Sequence, residues 1–325
     1  MIYVTEIASV AARALATVSL ALILSPGASA SPALLEAAAQ GNVAEVNVLL
    51  EAGADIDFTL PNDTPKWGYL VSTALETASG KGHADVVELL LQKDAKTRTD
   101  QSRGLYAATW AGGGGHTECL LLLLQHENPD AERLNPLFGP ALISATRNQH
   151  LATIQALLAA GVDPNWYTPR GSSPKPAILI AAAPGHEETF LILLEAGADP
   201  KPHPDILSYT SGRADTVMVQ RLLDLGMDPN DKGDYGQPLA VIACSSVAPP
   251  VEWKKKIVAT SHVLIVAGSE VNVPWRGRSP LFCARETRNE ELVKLLEANG
   301  AEAFETLARK LKRKGLQGIY TIGNH

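Results

Sequence analysis

The chain has 325 residues and 46% of them are hydrophobic, which excludes wholesale disorder and allows one long array or two ordinary domains. A net charge of −7 argues against general binding to nucleic acid, because phosphate contacts need a broad basic surface. Cys119, Cys244 and Cys283 are too few for a disulfide scaffold and form no C-x-x-C pair, so we expect free, mostly buried thiols.

The first predicted element is the apolar run at residues 14–24, which is too short to span a bilayer as a helix. Pro26 and Gly27 end the run, and Ala28-Ser29-Ala30 has the small-x-small pattern of signal-peptide cleavage. Residues 1–31 therefore form a signal-like segment that favours the secretory pathway and export. The alternatives are a helix that caps the first unit and a cytoplasmic or nuclear protein. Membrane association is expected only if this segment is retained.

Residues 32–302 repeat one phrase, a Leu-rich stretch closed by Gly or by a residue in its place. The closing residues are Gly53, Asp94, Glu127, Gly161, Gly197, Gly226, Gly268 and Gly300, in steps of 41, 33, 34, 36, 29, 42 and 32. Four phrases carry a His eleven residues before the closing residue, namely His83, His116, His150 and His186. Four open on Pro-Ala-Leu or a close variant, at residues 32, 140, 176 and 280.

A period near 33 with these openings resembles the ankyrin repeat. The resemblance implies an all-α solenoid of about eight helix-turn-helix units joined by β-turn or hairpin fingers, in which each His supports the turn between two helices. Residues 177–183 and 187–194 show such a pair of helices, each too small to bury a core alone, so the units must stack. Gly197 ends the second helix, and Asp199-Pro200 starts the finger.

Residues that look chemical are better explained as structure. His186-Glu187 begins like the zinc-protease motif H-E-x-x-H, but Phe190 stands where the second ligand is needed. The glycines at 112–115 lack the preceding strand and the following Lys of a phosphate-binding loop. We therefore expect no enzyme activity, no catalytic residue, no cofactor and no metal site.

Aromatic and charged residues concentrate between the repeats, where three of the five Trp lie outside the helices. Trp, Tyr and Arg dominate binding hot spots, and stacked fingers of this family line one concave edge. We predict a monomeric scaffold or adaptor that binds another protein through its finger tips and first-helix face, and no nucleic acid. The predicted contact residues are Lys66, Trp67, Tyr69, Trp166, Tyr167, Arg170, Asp234, Tyr235, Trp275, Arg276 and Arg278. Each ring alternatively packs on its neighbour's finger.

Two other functions stay open. An unconventional enzyme would hold a small apolar substrate in the concave groove beside His203, Asp205 and Tyr209. An exported or membrane-associated interaction module would use its two ends as attachment points, because residues 303–325 predict a basic C-terminal capping helix and tail.

The two longest steps mark insertions near residues 58–71 and 245–256. Long insertions in tight repeats are often functional. The second insertion contains Pro249 and Pro250 as helix breakers and Lys254–Lys256 as a charge run, so we expect it to enlarge the turn between two helices.

Overall fold

The computed structural model describes residues 30–59, 73–97, 107–167, 175–244 and 249–304. These residues form sixteen helices and no strand, which confirms the predicted all-α class. The chain divides into two compact units, residues 1–180 and 181–325, here called the N-terminal unit and the C-terminal unit. Most of the predicted leader, the first insertion and the basic C-terminal helix lie outside the described residues.

The N-terminal unit contains four successive helix pairs. First helices pack on first helices in chain order, and second helices pack on second helices, as stacked repeats require. The helices are α1 (Ala30–Gln40), α2 (Val43–Glu51), α3 (Ala74–Lys81), α4 (Ala84–Gln92), α5 (Ala107–Gly114), α6 (Thr117–Glu127), α7 (Ala131–Arg147) and α8 (Leu151–Ala159). Helix α9 (Ala177–Ala181) follows and reaches the boundary at residue 180.

The C-terminal unit repeats the same arrangement, with α11, α13 and α15 stacked as first helices and α12, α14 and α16 as second helices. No helix within the described ranges is long and apolar enough to cross a membrane. The helices are α10 (Glu187–Glu195), α11 (Asp205–Gly212), α12 (Thr216–Asp224), α13 (Pro238–Cys244), α14 (Val251–Val266), α15 (Pro280–Glu286) and α16 (Glu290–Ala298).

Small residues let the first helices approach closely. A Cβ added at Gly112 on α5 would lie 2.6 Å from the backbone oxygen of Ala141 on α7, so only Gly fits this contact. Larger residues fill the space further out, where Phe138 and Phe190 are almost completely buried in their respective units.

Three histidines of the N-terminal unit join each helix pair to the preceding one. The Nε2 atoms of His83, His116 and His150 lie 3.0–3.1 Å from the backbone oxygens of Ala39, Gly80 and Gly113. A carbonyl oxygen only accepts, so each imidazole donates from Nε2. The resemblance implied that each His supports the turn in its own pair, and the structure adds this bond to the neighbouring pair.

Each of these imidazoles also covers a glycine of the preceding turn. A Cβ at Gly41, Gly82 or Gly115 would lie 2.4–2.5 Å from the Nδ1 atom of the next pair's His. All three glycines also have positive φ, between 70° and 81°. We call this arrangement the Gly–His ladder. His186 in the C-terminal unit instead has a buried Nδ1 atom without a hydrogen-bond partner.

The predicted closing residues are the positions of positive φ after the second helices, with one correction. Seven of them, from Gly53 to Gly300, have φ between 62° and 97°. In the third pair this conformation belongs to Asn128, because α6 continues through Glu127. Asn accepts left-handed φ more readily than Glu does.

Two helices, α7 and α14, begin earlier in the chain than the sequence suggests. Helix α7 starts at Ala131 rather than at Pro140, because the Asp130 carboxylate caps it by accepting from the Arg133 backbone N–H at 2.9 Å. Helix α14 starts at Val251, so Lys254–Lys256 lie on a helix rather than in an enlarged turn. Lys is a good helix former, and Pro250 precedes the helix as its N-cap residue.

The expectation of three free thiols is wrong for two of them. Cys244 on α13 and Cys283 on α15 form a disulfide that joins two successive first helices across 39 residues. Cys119 is free and buried. Burial and, less strongly, the neighbouring Glu118 carboxylate raise the pKa of the Cys119 thiol to about 11.

Candidate protein-binding surface

The structure describes seven of the eleven predicted contact residues. They lie in the fingers that follow α8, α12 and α14, and are Trp166, Tyr167, Asp234, Tyr235, Trp275, Arg276 and Arg278. Lys66, Trp67, Tyr69 and Arg170 lie outside the described residues, so they stay a prediction.

A side-chain turn starts the fingers that follow α8, α10 and α12. The Asp two residues after the closing Gly accepts a hydrogen bond from the backbone N–H two residues further on, at 2.9 Å for Asp163, 3.0 Å for Asp199 and 2.8 Å for Asp228. This is an Asx turn, which replaces a backbone hydrogen bond at the point where the helix has ended. The Asp-Pro pairs read from the sequence therefore direct the chain through both the carboxylate and the proline.

Two asparagines connect successive fingers of the C-terminal unit, Asn230 in the finger after α12 and Asn272 in the finger after α14. Asn230 accepts from the Glu270 N–H at 2.7 Å and donates to the Gly268 oxygen at 3.0 Å. Asn272, at the same position of the next repeat, accepts from Glu302 N–H at 2.7 Å and donates to the Gly300 oxygen at 3.2 Å. We call these bonds the finger ladder. They hold the fingers in a fixed register before any partner arrives.

The last finger is a two-residue hairpin. Trp275 and Arg278 exchange backbone hydrogen bonds of 3.0 and 3.1 Å. Arg276 and Gly277 between them have φ of 49° and 80°, as a type I′ turn requires. The turn places Arg276 at the tip, and its guanidinium carbon lies 4.3 Å from the Trp275 ring centroid.

Three aromatic side chains form a continuous row in the C-terminal unit. The rings of Tyr209 on α11 and Tyr235 in the finger lie 6.2 Å apart. Trp275 donates from Nε1 to the backbone oxygen of Tyr235 at 2.6 Å. Tyr235 is 48% exposed, and Tyr209 and Trp275 are half-buried. We call Tyr209, Tyr235 and Trp275 the aromatic row.

Packing against the protein's own backbone holds these indole rings in place. A Cβ at Gly236 would lie 2.7 Å from Cδ1 of Trp275, and one at Gly139 would lie 2.2 Å from Cε3 of Trp166. Both rings thus cover a glycine with one face and keep part of their surface exposed. The sequence allowed two interpretations of these rings, contact with a partner and packing within the chain. The two are compatible, because each ring packs on its own chain and keeps part of its surface exposed.

Arg278 faces its own chain. It forms a 2.6 Å ion pair with Glu286, and only 13% of its side chain is exposed. Asp234 and Arg276, by contrast, are exposed at the tips of successive fingers. Of these three charged residues, Asp234 and Arg276 are therefore the ones exposed at the surface.

The residues predicted for an enzyme groove lie along α11 and just before it. The hydroxyl of Tyr209 accepts from the Arg213 guanidinium at 3.0 Å. Burial lowers the pKa of His203, although the carboxylates of Asp199 and Asp205 oppose the shift. Asp205 Oδ1 is buried without a hydrogen-bond partner against Gly233. Within the described part of the chain, no group of three or more His, Cys, Asp or Glu could hold a metal ion.

Sequence reasoning assigned Tyr209 to the enzyme alternative and missed its place in the aromatic row. Tyr209 lies on a first helix, 26 residues before Tyr235. The sequence could have indicated this position, because a finger is expected to pack on the first helix of its own repeat.

Comparison with known proteins finds a matching family model and several relatives. A family model for ankyrin repeats (3 copies) matches residues 75–168 and 110–203. Ankyrin repeat protein nuc-2 of Neurospora crassa is 32% identical over 152 residues, 46% of this chain and 13% of that protein. Ankyrin repeat and KH domain-containing protein mask-1 of Caenorhabditis elegans is 27% identical over 214 residues, 62% of this chain and 7% of that protein.

A third relative is the E3 ubiquitin-protein ligase XBAT33 of Arabidopsis thaliana, which is 31% identical over 128 residues, 39% of this chain and 23% of that protein. The chain thus spans less than a quarter of the length of each of these three relatives.

Proposed function

Because the chain is an ankyrin repeat protein, and this family generally serves as a non-catalytic module for binding other proteins, we propose that it is a scaffold whose C-terminal unit binds a partner protein through the aromatic row and the finger tips. The observation that supports this most is the continuity of Tyr209, Tyr235 and Trp275, which are partly exposed and already ordered by contacts within the chain.

Preorganisation makes such a surface effective. Immobilising one rotamer-rich side chain on binding costs about 0.5–1.5 kcal/mol, and the row has largely met this cost in the free protein. Part-exposed Tyr and Trp rings can then bury apolar area while the Trp275 N–H stays bonded to Tyr235. Asp234 and Arg276 are exposed beside the row and would set the orientation of the partner.

Alanine substitution tests this proposal. The partner is first identified by crosslinking in the native host and then purified. Calorimetry should show that Tyr235→Ala and Trp275→Ala each weaken binding by about 2 kcal/mol, or about 30-fold, as expected of hot spots. Leu121→Ala is the matched control, because Leu121 is 50% exposed but lies on α6 of the N-terminal unit. Full affinity in a variant that carries both Tyr235→Ala and Trp275→Ala, with an unchanged melting temperature, would refute the proposal.

We also propose that the protein is exported. The Cys244–Cys283 disulfide supports this, because disulfides persist mainly in oxidising compartments. The apolar run at 14–24, followed by Ala28-Ser29-Ala30, supports it independently.

N-terminal sequencing and non-reducing mass spectrometry of the protein from its native host test export together. The expected result is a chain that begins at Ser31 and carries the disulfide. A chain that still begins at Met1 and has three alkylatable thiols would contradict export.

A further inference from the structure

A groove of about 590 Å³ opens in the C-terminal unit at the turn between α11 and α12. It lies at the opposite end of α11 from Asp205, the residue that contacts the Gly233 finger. The first two turns of α14 form its other wall. Its lining residues are Pro184, Gly212, Arg213, Ala214, Asp215, Thr216, Val217, Trp253 and Lys256.

The N-terminal unit shows what normally fills this place. Ala214 has φ 53° at the turn position that Gly41, Gly82 and Gly115 occupy in the Gly–His ladder. In the ladder the imidazole of the next pair covers that glycine, and the next pair here is α13 and α14. Helix α14 has Pro250 at the residue before its first turn, where α4, α6, α8 and α10 have His. The turn is therefore uncovered by an imidazole.

Trp253 and Lys256 replace the missing imidazole with different chemistry. They stand three residues apart on α14 and so share one helix face. Among the described residues, neither the Trp253 indole N–H nor the Lys256 ammonium has a hydrogen-bond or ion-pair partner. Both groups line the groove, which leaves one unused donor and one unused cation there.

The other charged groups of the groove add a second cation and no free anion. The Arg213 guanidinium is held 5.3 Å from the Tyr209 ring centroid. The Asp215 carboxylate caps α12 by accepting from the Met218 N–H at 3.1 Å. The apolar part of the lining is accessible, because Val217 is 71% exposed and Pro184 is exposed as well.

We propose that this groove binds an extended segment of another protein in which a large apolar side chain stands beside carboxylates. The apolar side chain would pack between Trp253 and Val217. The carboxylates would meet Lys256 and Arg213, and the indole N–H would donate to a carboxylate or carbonyl oxygen of the segment. The volume lies within the range of about 300–1,000 Å³ typical of binding pockets. The site is separate from the finger tips and does not depend on the proposed function.

An array of eight-residue peptides tests the class of ligand. One set combines Asp and Glu with Leu, Phe and Trp, and a matched set has Lys and Arg in place of the acids. Vesicles containing phosphatidylserine and a single-stranded oligonucleotide complete the probes. The full chain should bind peptides of the acidic set with affinities in the micromolar range. A preference for the basic set, or binding only to vesicles or oligonucleotide, would overturn the proposal.

Neighbouring lysines supply a matched pair of variants. Lys256→Glu reverses a charge that lines the groove, and we expect it to weaken binding of the best acidic peptide about tenfold or more. Lys255→Glu changes the adjacent exposed Lys, which pairs with Glu252 outside the groove, and should change affinity less than about twofold. Equal effects of the two variants would mean that general charge, rather than this groove, binds the peptide.

Two further variants separate this groove from the aromatic row. Trp253→Ala should also weaken peptide binding about tenfold, because it removes the main apolar wall. Tyr235→Ala should leave peptide binding unchanged. Circular dichroism and the melting temperature verify that each variant is folded, and Lys256→Glu provides the test if Trp253→Ala is not. Loss of peptide binding in Tyr235→Ala but not in Lys256→Glu would place the peptide at the fingers instead.

Discussion

The two units hold the same two-helix repeat together in different ways. In the N-terminal unit, His83, His116 and His150 donate to the preceding pair and cover its turn glycine. In the C-terminal unit, side chains of Asp215 and Asn289 cap the second helices at the same position. There the finger ladder, a disulfide and hydrogen bonds such as that from Asn289 to the Lys254 oxygen link successive pairs.

This difference shows where an array can carry function. A regular ladder fills every turn with the same imidazole and leaves no chemistry of its own there. The C-terminal unit gives up that filler, and the turn after α11 becomes an open groove beside Trp253. Its fingers meanwhile bring Tyr209, Tyr235 and Trp275 together. The specific surfaces therefore lie where the repeat departs from its pattern.

Of the substitutions that compare the two units, removal of the disulfide should lower the free energy of unfolding most. Cys244→Ser with Cys283→Ser should cost about 4 kcal/mol of unfolding free energy, because the bond closes a loop across 39 residues. Hydrogen exchange should show the loss of protection in α13 to α16 and little change in α1 to α8. Equal loss in both units would mean that their stabilities are not separable.

Gly112→Val tests the close packing of the N-terminal unit in the same way. The new side chain meets the backbone of α7 at Ala141, which cannot move aside as a side chain could. We expect a loss of about 1–3 kcal/mol, measured by urea denaturation. Gly113→Ala is the control, because its nearest contact would be Ser144 Cβ at an ordinary 3.7 Å. If the control costs as much as Gly112→Val, the close contact with the Ala141 backbone does not set the effect.

The Gly–His ladder should contribute less at each position. His116→Ala removes one hydrogen bond to the preceding pair and should cost about 1 kcal/mol. His126→Ala, on the exposed surface at the end of α6, should cost less than about 0.5 kcal/mol. Thermal denaturation of both variants measures the difference, and equal costs would mean that the ladder does not stabilise the N-terminal unit.

Thiol reactivity distinguishes the three cysteines. Native protein should react very slowly with iodoacetamide at pH 8, because burial keeps Cys119 protonated with a pKa of about 11 and the other two are bonded. Unfolding without reductant should expose one thiol, and unfolding with reductant should expose three. Mass spectrometry counts the adducts. Three adducts without reductant would exclude the disulfide.

His203 should make a small contribution to pH dependence. Burial lowers its pKa below 6.5, so below that pH the unfolded chain binds the proton more readily than the folded protein does. Stability should therefore fall as pH drops from 7.5 to 5.5, and His203→Gln should lessen this fall. Urea midpoints across this range measure it, and a steeper fall in His203→Gln would reverse the assignment.

The sequence predicted much of the fold because its signals are local and periodic. A glycine that closes a helix and an Asp that starts a finger act within a few residues, so both recur at fixed positions of the sequence repeat. Cys244 and Cys283 could not be paired in this way, since they occupy different positions of their repeats and meet only through packing. The start of α7 was also missed, because a single capping Asp outweighs the prolines that follow it.

The binding surfaces were only partly predictable. The fingers were identified by their Trp and Tyr, but Arg278 pairs with Glu286 rather than facing outward. Trp253 was assigned to an insertion and not to a groove, because the sequence alone does not show that Pro250 lies against the turn at Ala214 of the preceding pair. Such sites depend on contacts between neighbouring repeats.

The most direct test of the central claim is site-specific photocrosslinking in the native host. A photoreactive phenylalanine analogue replaces Tyr235 in one variant and Leu121 in another, since both positions are about equally exposed. If the aromatic row of the C-terminal unit binds the partner, the Tyr235 position yields one dominant crosslinked protein and the Leu121 position yields none. The same crosslinked protein from both positions, or from Leu121 alone, would contradict the account.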